Sequence, residues 1–276
     1  MGFAWKIDEG TTVKLKDYDP GFIDKHVDHD SAQQTLVHLS DELSKMQELL
    51  AAAQHHSLLV VLQGMDTSGK DGTIRHVFSS VNPQGCEVHS FKAPTQEELL
   101  HDFLWRIHRV APARGMIGVF NRSQYEDVLV VRVHNLVPEN VWSHRYKEIN
   151  HFEKLLTNSG TVVLKFFLHI SNEEQKQRLL AREQDRDKAW KLSASDWAER
   201  KYWDDYQSAY EDVLSKCSTE EAPWYIVPAN HKWYRNLAIA QVLSDTMHKY
   251  KDEWQADLEA RGQKELAALK KMRTKE

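Results

Sequence analysis

Hydrophobic and polar residues alternate along this chain in patterns that change character several times. Over residues 1–30, Asp, Gly, Pro and Lys are mixed with apolar residues at no fixed period, which predicts an irregular arm. Over 31–54 the pattern becomes regular. Leu36, Leu39, Leu43, Met46 and Leu50 recur at intervals of three and four, the spacing of one face of an amphipathic helix. Residues 57–63 are short, almost wholly apolar and closed by Gly64, so they read as a strand buried on both faces. A helix is predicted over 72–81 and a second strand over 86–91, closed by Pro94. Thr95, with Glu98 three residues later, has the spacing of a capping box and predicts a helix start. A third strand follows over 116–120, a helix over 139–157 and a fourth strand over 161–169, after which Ser171 caps another helix. The remaining elements are a helix over 195–216, a fifth strand over 224–227 and a helix over 231–250. Residues 251–276 are charged, with an apolar residue every three or four positions, and predict a helical tail whose end frays.

Strand and helix alternate through the middle of the chain. This predicts an α/β fold with a parallel sheet of about five strands covered by helices on both faces. Its 276 residues are enough for one large domain of this class. The expected organisation is a single domain over 1–250, with an arm and first helix over 1–56, followed by the tail over 251–276. With 41% apolar and 28% charged residues the chain is globular rather than disordered. The 36 Lys and Arg against 41 Asp and Glu give a net charge of −5, which argues against binding nucleic acid by overall basic charge. The apolar runs are about five residues long, as at 58–62, far short of the roughly 18 that a membrane span needs. Cys86 and Cys217 are far apart and in no CxxC pair, so neither a disulfide scaffold nor a cysteine zinc site is expected. With no apolar stretch in the first ten residues to suggest a secretory signal, a cytoplasmic location is expected.

The strongest chemical signal is Gly64-Met65-Asp66-Thr67-Ser68-Gly69-Lys70, a GxxxxGK run between a predicted strand and a predicted helix that contains Gly72. In that setting successive backbone N–H groups line a concave anion site at a helix N-terminus, and Lys70 reaches the phosphates. The residue after the lysine is Asp71, where such loops usually carry Ser or Thr to hold Mg²⁺. Asp66, inside the loop, would repel a polyanion unless a divalent cation lay between them, so Mg²⁺ is expected near Asp66. Asp71 is read equally well as a second metal contact or as a first-turn carboxylate favoured by the helix dipole.

A second cluster, Asn121-Arg122-Ser-Gln-Tyr-Glu126-Asp127, follows the third strand. At the carboxyl end of a neighbouring parallel strand, nucleotide-binding sheets normally carry a metal-binding acid. Asn121 is a weaker ligand, and Asp127 could supply the missing carboxylate. Arg122 is read either as a guanidinium against a transferring phosphate or as an i,i+4 partner of Glu126. Fifteen histidines occur, but His55-His56 and the His26/His29 pair lack companions at ligand spacing and read as structural or surface residues.

Four separated runs, GMDTSGKDG, NPQGCEVHSFKAPT, FNRSQYEDVLVVRVH and APWYIVPANHKWYRN, together resemble the polyphosphate kinase 2 family, over roughly residues 10–250. The RSQYED stretch, with acids where relatives carry Asn-Arg, resembles the subgroup that phosphorylates AMP as well as ADP. The resemblance implies a P-loop kinase-like three-layer α/β/α fold with a helical lid, here about 172–216, together with Mg²⁺ and inorganic polyphosphate. It also implies reversible phosphate transfer to AMP or ADP, giving ADP or ATP, with Glu126 helping to place AMP. Arg178, Arg182 and Arg186 are four apart and share one helix face. From the residues alone they read as a solvated helix; the resemblance makes them lid arginines along a polyphosphate chain. Arg75 and Lys92 are further candidates for that channel. A homo-oligomer is expected, with the first helix and the charged tail as possible contacts. An ATP-dependent nucleoside monophosphate kinase, or a nucleotide-binding switch without chemistry, are the alternative readings; Asn121 speaks for the last.

Overall fold

The computed structural model describes residues 2–184 and 194–273. Its centre is β2 (Ser57–Gln63), buried at all seven positions, as a strand covered on both faces must be. On one side β2 pairs in parallel with β4 (Ile117–Asn121), and β4 pairs with the edge strand β3 (Cys86–Ser90). On the other side it pairs in parallel with β5 (Thr161–His169), which pairs with β6 (Trp224–Pro228). The sheet therefore has the order β1-β6-β5-β2-β4-β3, because a sixth strand, β1 (Trp5–Ile7), adds antiparallel to β6. The five expected parallel strands are present, and β1 corrects the expected irregular arm. Three residues are too few for any period to show, and their strand conformation comes from backbone pairing with Trp224–Ile226.

Helices pack in two groups. α1 (His29–Ala53), α2 (Lys70–Val77) and α9 (Lys232–His248) pack together, with α1 also meeting α10 (Lys251–Arg273). α4 (Val130–Val133), α5 (Glu139–Asn158) and α8 (Trp203–Lys216) form the other group. α1 starts earlier than its apolar period, because Asp28 caps it and exchanges bonds with Ser31. α10 is tied to the domain by its one buried residue, Trp254, whose Nε1–H donates to His56 Nδ1 at 3.1 Å. His55, beside it, faces Glu253 and Asp257. Among the described residues no helix is long and apolar enough to cross a membrane.

Two predicted helices are corrected. Thr95 and Glu98 do form the capping box, with Thr95 N–H donating to Glu98 and Glu98 N–H to Thr95 Oγ1. However, it opens only a 3-10 turn at Glu98–Leu100; α3 (Trp105–His108) forms separately afterwards. Leu99 and Leu100 are exposed, so no buried apolar face repays the cost of propagating a helix there. The helix predicted over 195–216 is broken into α7 (Ala194–Glu199), a 3-10 turn at Arg200–Tyr202, and α8. Together with α6 (Asn172–Gln184) these elements make up the described part of segment 172–216.

Below the carboxyl end of β4, a buried polar network fixes the turn at Gln124–Val128. Lys165 Nζ on β5 donates to Glu153 Oε2, to the Tyr125 hydroxyl at 3.0 Å and to the Cys217 carbonyl at 2.6 Å. Glu153 Oε1 in turn accepts from Tyr125 at 2.7 Å and Gln124 at 2.9 Å. Burial and the Glu153 charge push the Tyr125 hydroxyl well above its ordinary pKa, so it remains a donor. Removing one partner of such a pair strands the other in the core. Glu153→Leu is expected to cost roughly 3–5 kcal/mol, seen as a lower urea midpoint, and Lys165→Met added to it should recover most of the loss. A wild-type midpoint for the single variant would contradict this account.

Candidate active site

The chain reaches β4 and β5 on opposite sides of β2, so a crevice opens at the carboxyl end of β2. The glycine loop lies there. Gly64 has φ +152°, and a Cβ on it would stand 2.7 Å from the Leu168 carbonyl, so only glycine lets the chain leave β2 at this angle. Gly69, at φ +106°, caps the start of α2. α2 therefore begins at Lys70, two residues before the predicted start. Lys70 is buried, and its ammonium turns back onto the loop, donating to the Gly64 carbonyl at 2.8 Å and the Met65 carbonyl at 3.2 Å. Burial, with the positive Arg122 nearby, holds its pKa down to about 8.

Across the crevice, Arg122 follows directly on β4 with φ +64°. Its backbone N–H continues the pairing to the Leu62 carbonyl, so the strand fixes its place. Arg122 Nη2 donates to Asp66 Oδ1 at 2.7 Å and Nη1 to Glu126 Oε2 at 3.1 Å. The i,i+4 pair is therefore real, but the same guanidinium also ties the second cluster to the glycine loop. The Glu126 charge holds Arg122 even more firmly protonated than usual, against the opposing effect of burial and with help from Asp66. Asn121 Nδ2 donates to Asp71 Oδ1 at 2.8 Å, joining the end of β4 to the first turn of α2. Lys70, Asp66, Asp71, Asn121, Arg122 and Glu126 thus form one connected group.

Asp127 departs from expectation. Its Oδ1 accepts from Arg145 at 3.0 Å, and its Oδ2 lies 3.8 Å from Arg106. Burial raises its carboxyl to about 6, with the two arginines pulling the other way. Both carboxylate oxygens face guanidinium groups, so Asp127 is an arginine-bound carboxylate here and not a companion of Asp66 in a metal set. Neither Arg106 nor Arg145 has a local sequence pattern that marks it for this contact.

The basic ladder resolves differently at each rung. Arg178 turns inward. Its Nη1 donates to the carbonyls of Thr67 (2.9 Å) and Ser68 (3.1 Å), its Nη2 to those of Ala229 and Asn230, and its Nε to Glu174. It therefore clamps the glycine loop to the segment after β6 and does not stand free along a helix face. Arg182 donates to Asp196 Oδ2 on α7 at 2.8 Å. Arg186, with Lys188, Trp190 and Lys191, lies outside the described residues. Arg75 is exposed in the last turn of α2, and Lys92 is exposed just past β3. Arg235 on α9 also reaches the loop, donating to the Ser68 carbonyl at 3.3 Å. It lies in the last of the four sequence runs, which carried no reading of its own for that residue.

The donors around the loop fit a magnesium ion. Mg²⁺ takes oxygen ligands, usually one or two carboxylates with waters and phosphate oxygens. Asp66 and Asp71 supply such oxygens beside Lys70. Moreover, the hydroxyls of Thr67, Ser68 and Thr73 are buried without a hydrogen-bond partner among the described residues. Near the Lys70 ammonium, Arg122 stands with three carboxylates, Asp66, Glu126 and Asp71. A polyanion entering that group needs additional positive charge. Among the described residues no three His, Cys, Asp or Glu side chains converge into a preformed cage, so the fit is to an ion held jointly with a phosphate ligand.

Comparison with known proteins identifies the family. The profile of the family described as Polyphosphate kinase 2 matches residues 26–255. The chain is 52% identical over 217 residues to the AMP/ADP-polyphosphate phosphotransferase of Meiothermus ruber, across 79% of this chain and 81% of that protein. It is 45% identical to the ADP-polyphosphate phosphotransferase of Rhodopseudomonas palustris, across 96% of each. The crystal structure of polyphosphate kinase 2 from Arthrobacter aurescens superposes with a TM-score of 0.84 at 45% identity, covering 89% of this chain and 88% of that one. The match extends through the glycine loop, the second cluster and both clamping arginines, and on these grounds the chain belongs to the polyphosphate kinase 2 family.

Proposed function

We propose that this protein moves the terminal phosphoryl group of inorganic polyphosphate onto AMP and ADP, giving ADP and ATP, and that it works in reverse when ATP is plentiful. The observation that carries the reading is the Asp66–Arg122 contact. It places a glycine loop with a buried lysine directly opposite a guanidinium, the arrangement needed to hold two phosphate groups end to end. Both acceptors are named because the Meiothermus relative carries AMP and ADP in its name. The same reading includes a cytoplasmic location and self-association, the latter supported by exposed Val37 on α1 and Leu266, Leu269 and Met272 on α10.

The reaction needs no covalent intermediate. Lys70 leaves the carbonyls of Gly64 and Met65 for a phosphate oxygen, and the loop amides bind the same group. Arg122 exchanges a carboxylate for the transferring phosphoryl, where a guanidinium offsets developing negative charge. Glu126, released, helps to place AMP, a role that the family resemblance implies. Lid residue Arg182, with Arg75 and Lys92, lines the path of the polyphosphate chain in this reading. Asp66 would hold Mg²⁺, with Asp71 beside it, and the ion would supply positive charge that offsets the charge of the phosphates.

Lys70→Ala is expected to lower kcat/KM about a hundred- to a thousand-fold in an assay supplying polyphosphate, Mg²⁺ and either AMP or ADP without ATP. Product formation that survives this change would overturn the reading. Turnover by the wild type only with ATP plus a monophosphate would instead favour a nucleoside monophosphate kinase. Tight nucleotide binding with no product from any donor would favour a switch.

Lys70 also sets a pH dependence. Its ammonium loses charge as pH rises through about 8, whereas the interior phosphates of a long polyphosphate chain stay ionised across that range. KM for long-chain polyphosphate should therefore rise about tenfold between pH 7 and pH 9. A flat KM over that interval would mean that the lysine stays charged or does not meet the chain.

A further inference from the structure

Beneath the glycine loop lies a guanidinium that the chemistry above does not use. Arg235, in the first turn of α9, is 2% exposed. Among the described residues, apart from the Ser68 carbonyl, its guanidinium reaches only the Asn236 side chain, from Nε at 3.2 Å and from Nη2 at 2.8 Å. It fills the space that a side chain at Gly69 would need, and its Nη2 lies 3.3 Å from where a Cβ on Gly72 would stand. The two glycines at the start of α2 therefore make room for this side chain. Among the described residues no carboxylate pairs with Arg235. Burial and the neighbouring Arg178 hold its pKa down to about 9. A buried cation without a counter-charge is costly, and the cost falls when an anion arrives close by.

Peptide geometry supplies the second link. Across a trans peptide the C=O of one residue and the N–H of the next point in opposite directions. The Ser68 carbonyl is held by Nη1 of Arg178 and Nη1 of Arg235. The Gly69 N–H must therefore point away from both arginines, to the other side of the loop. We propose that Arg235 is a positioning residue for the phosphate-binding loop: it turns the Ser68–Gly69 peptide so that its amide faces the polyphosphate, whose charge supplies the counter-ion the guanidinium lacks. This rests on the phosphoryl-transfer reading.

The test compares the full-length wild type with Arg235→Met and Arg235→Lys. Calorimetry gives the affinity for tripolyphosphate with Mg²⁺, steady-state kinetics give KM and kcat, and melting is recorded with and without tripolyphosphate. Arg235→Met should bind tripolyphosphate at least tenfold more weakly, and the melting-temperature rise on adding it should shrink. KM for polyphosphate should rise with kcat little changed, the mark of lost binding common to ground and transition states. Arg235→Lys keeps the charge but loses the fork, and should fall between the other two. A methionine variant that melts earlier yet binds with wild-type affinity would reduce Arg235 to packing and overturn the proposal. If the methionine variant does not fold, an unchanged KM in Arg235→Lys overturns it instead. Wild-type protein that binds tripolyphosphate as tightly as its variants refutes this inference alone. Wild-type protein that neither binds it nor consumes polyphosphate refutes the functional reading as well.

Discussion

Backbone amides can line an anion site only while their peptide units are kept from rotating, and here that restraint comes from cations gripping the carbonyl side of the loop. Arg178 holds the carbonyls of Thr67 and Ser68 and Arg235 that of Ser68 again, while in the free site Lys70 holds those of Gly64 and Met65. The rest of the architecture serves this grip. The buried strand β2 fixes where the loop begins, α6 brings Arg178, and α9 brings Arg235 from the far end of the chain. The Gly64 and Gly69 positions follow from the same packing, because a carbonyl stands against one and a guanidinium against the other.

The second consequence is electrostatic. A cradle built from cations would be costly if nothing balanced them, and Asp66 and Glu126 provide that balance through Arg122. The acids that stabilise the free site oppose the entry of a polyanion, which is the physical case for a divalent cation at Asp66. The turn bearing Glu126 and Asp127 rests on the Lys165–Glu153–Tyr125 network beneath it, and Gln63 at the end of β2 donates to Ser123 at 3.2 Å. Site and core are thus joined by buried polar contacts, where misplacement of one partner leaves another unsatisfied.

Much of this was legible in the amino-acid order. Four of the five parallel strands, β2, β4, β5 and β6, follow from short apolar runs, because a strand covered on both faces has no polar alternation to lose; β3, at the edge, is partly exposed. The loop and Arg122 were identifiable because their residues are contiguous and their backbone geometry is local. The chain order alone determined an α/β protein with a glycine loop after its central strand. Tertiary structure decided the rest, because those features depend on residues far apart in sequence. The edge strand β1 exists only through pairing with β6. The helix expected after Thr95 stops at one turn for want of a surface to bury. Arg178 reads as one rung of an evenly spaced ladder, yet carbonyls 51 to 111 positions away draw it inward. Asp127 turns to Arg106 and Arg145, and Arg235 closes on a loop 167 residues before it. Periodicity reports which face of an element is buried; it does not report which buried charge meets which, since that is settled only when the elements pack.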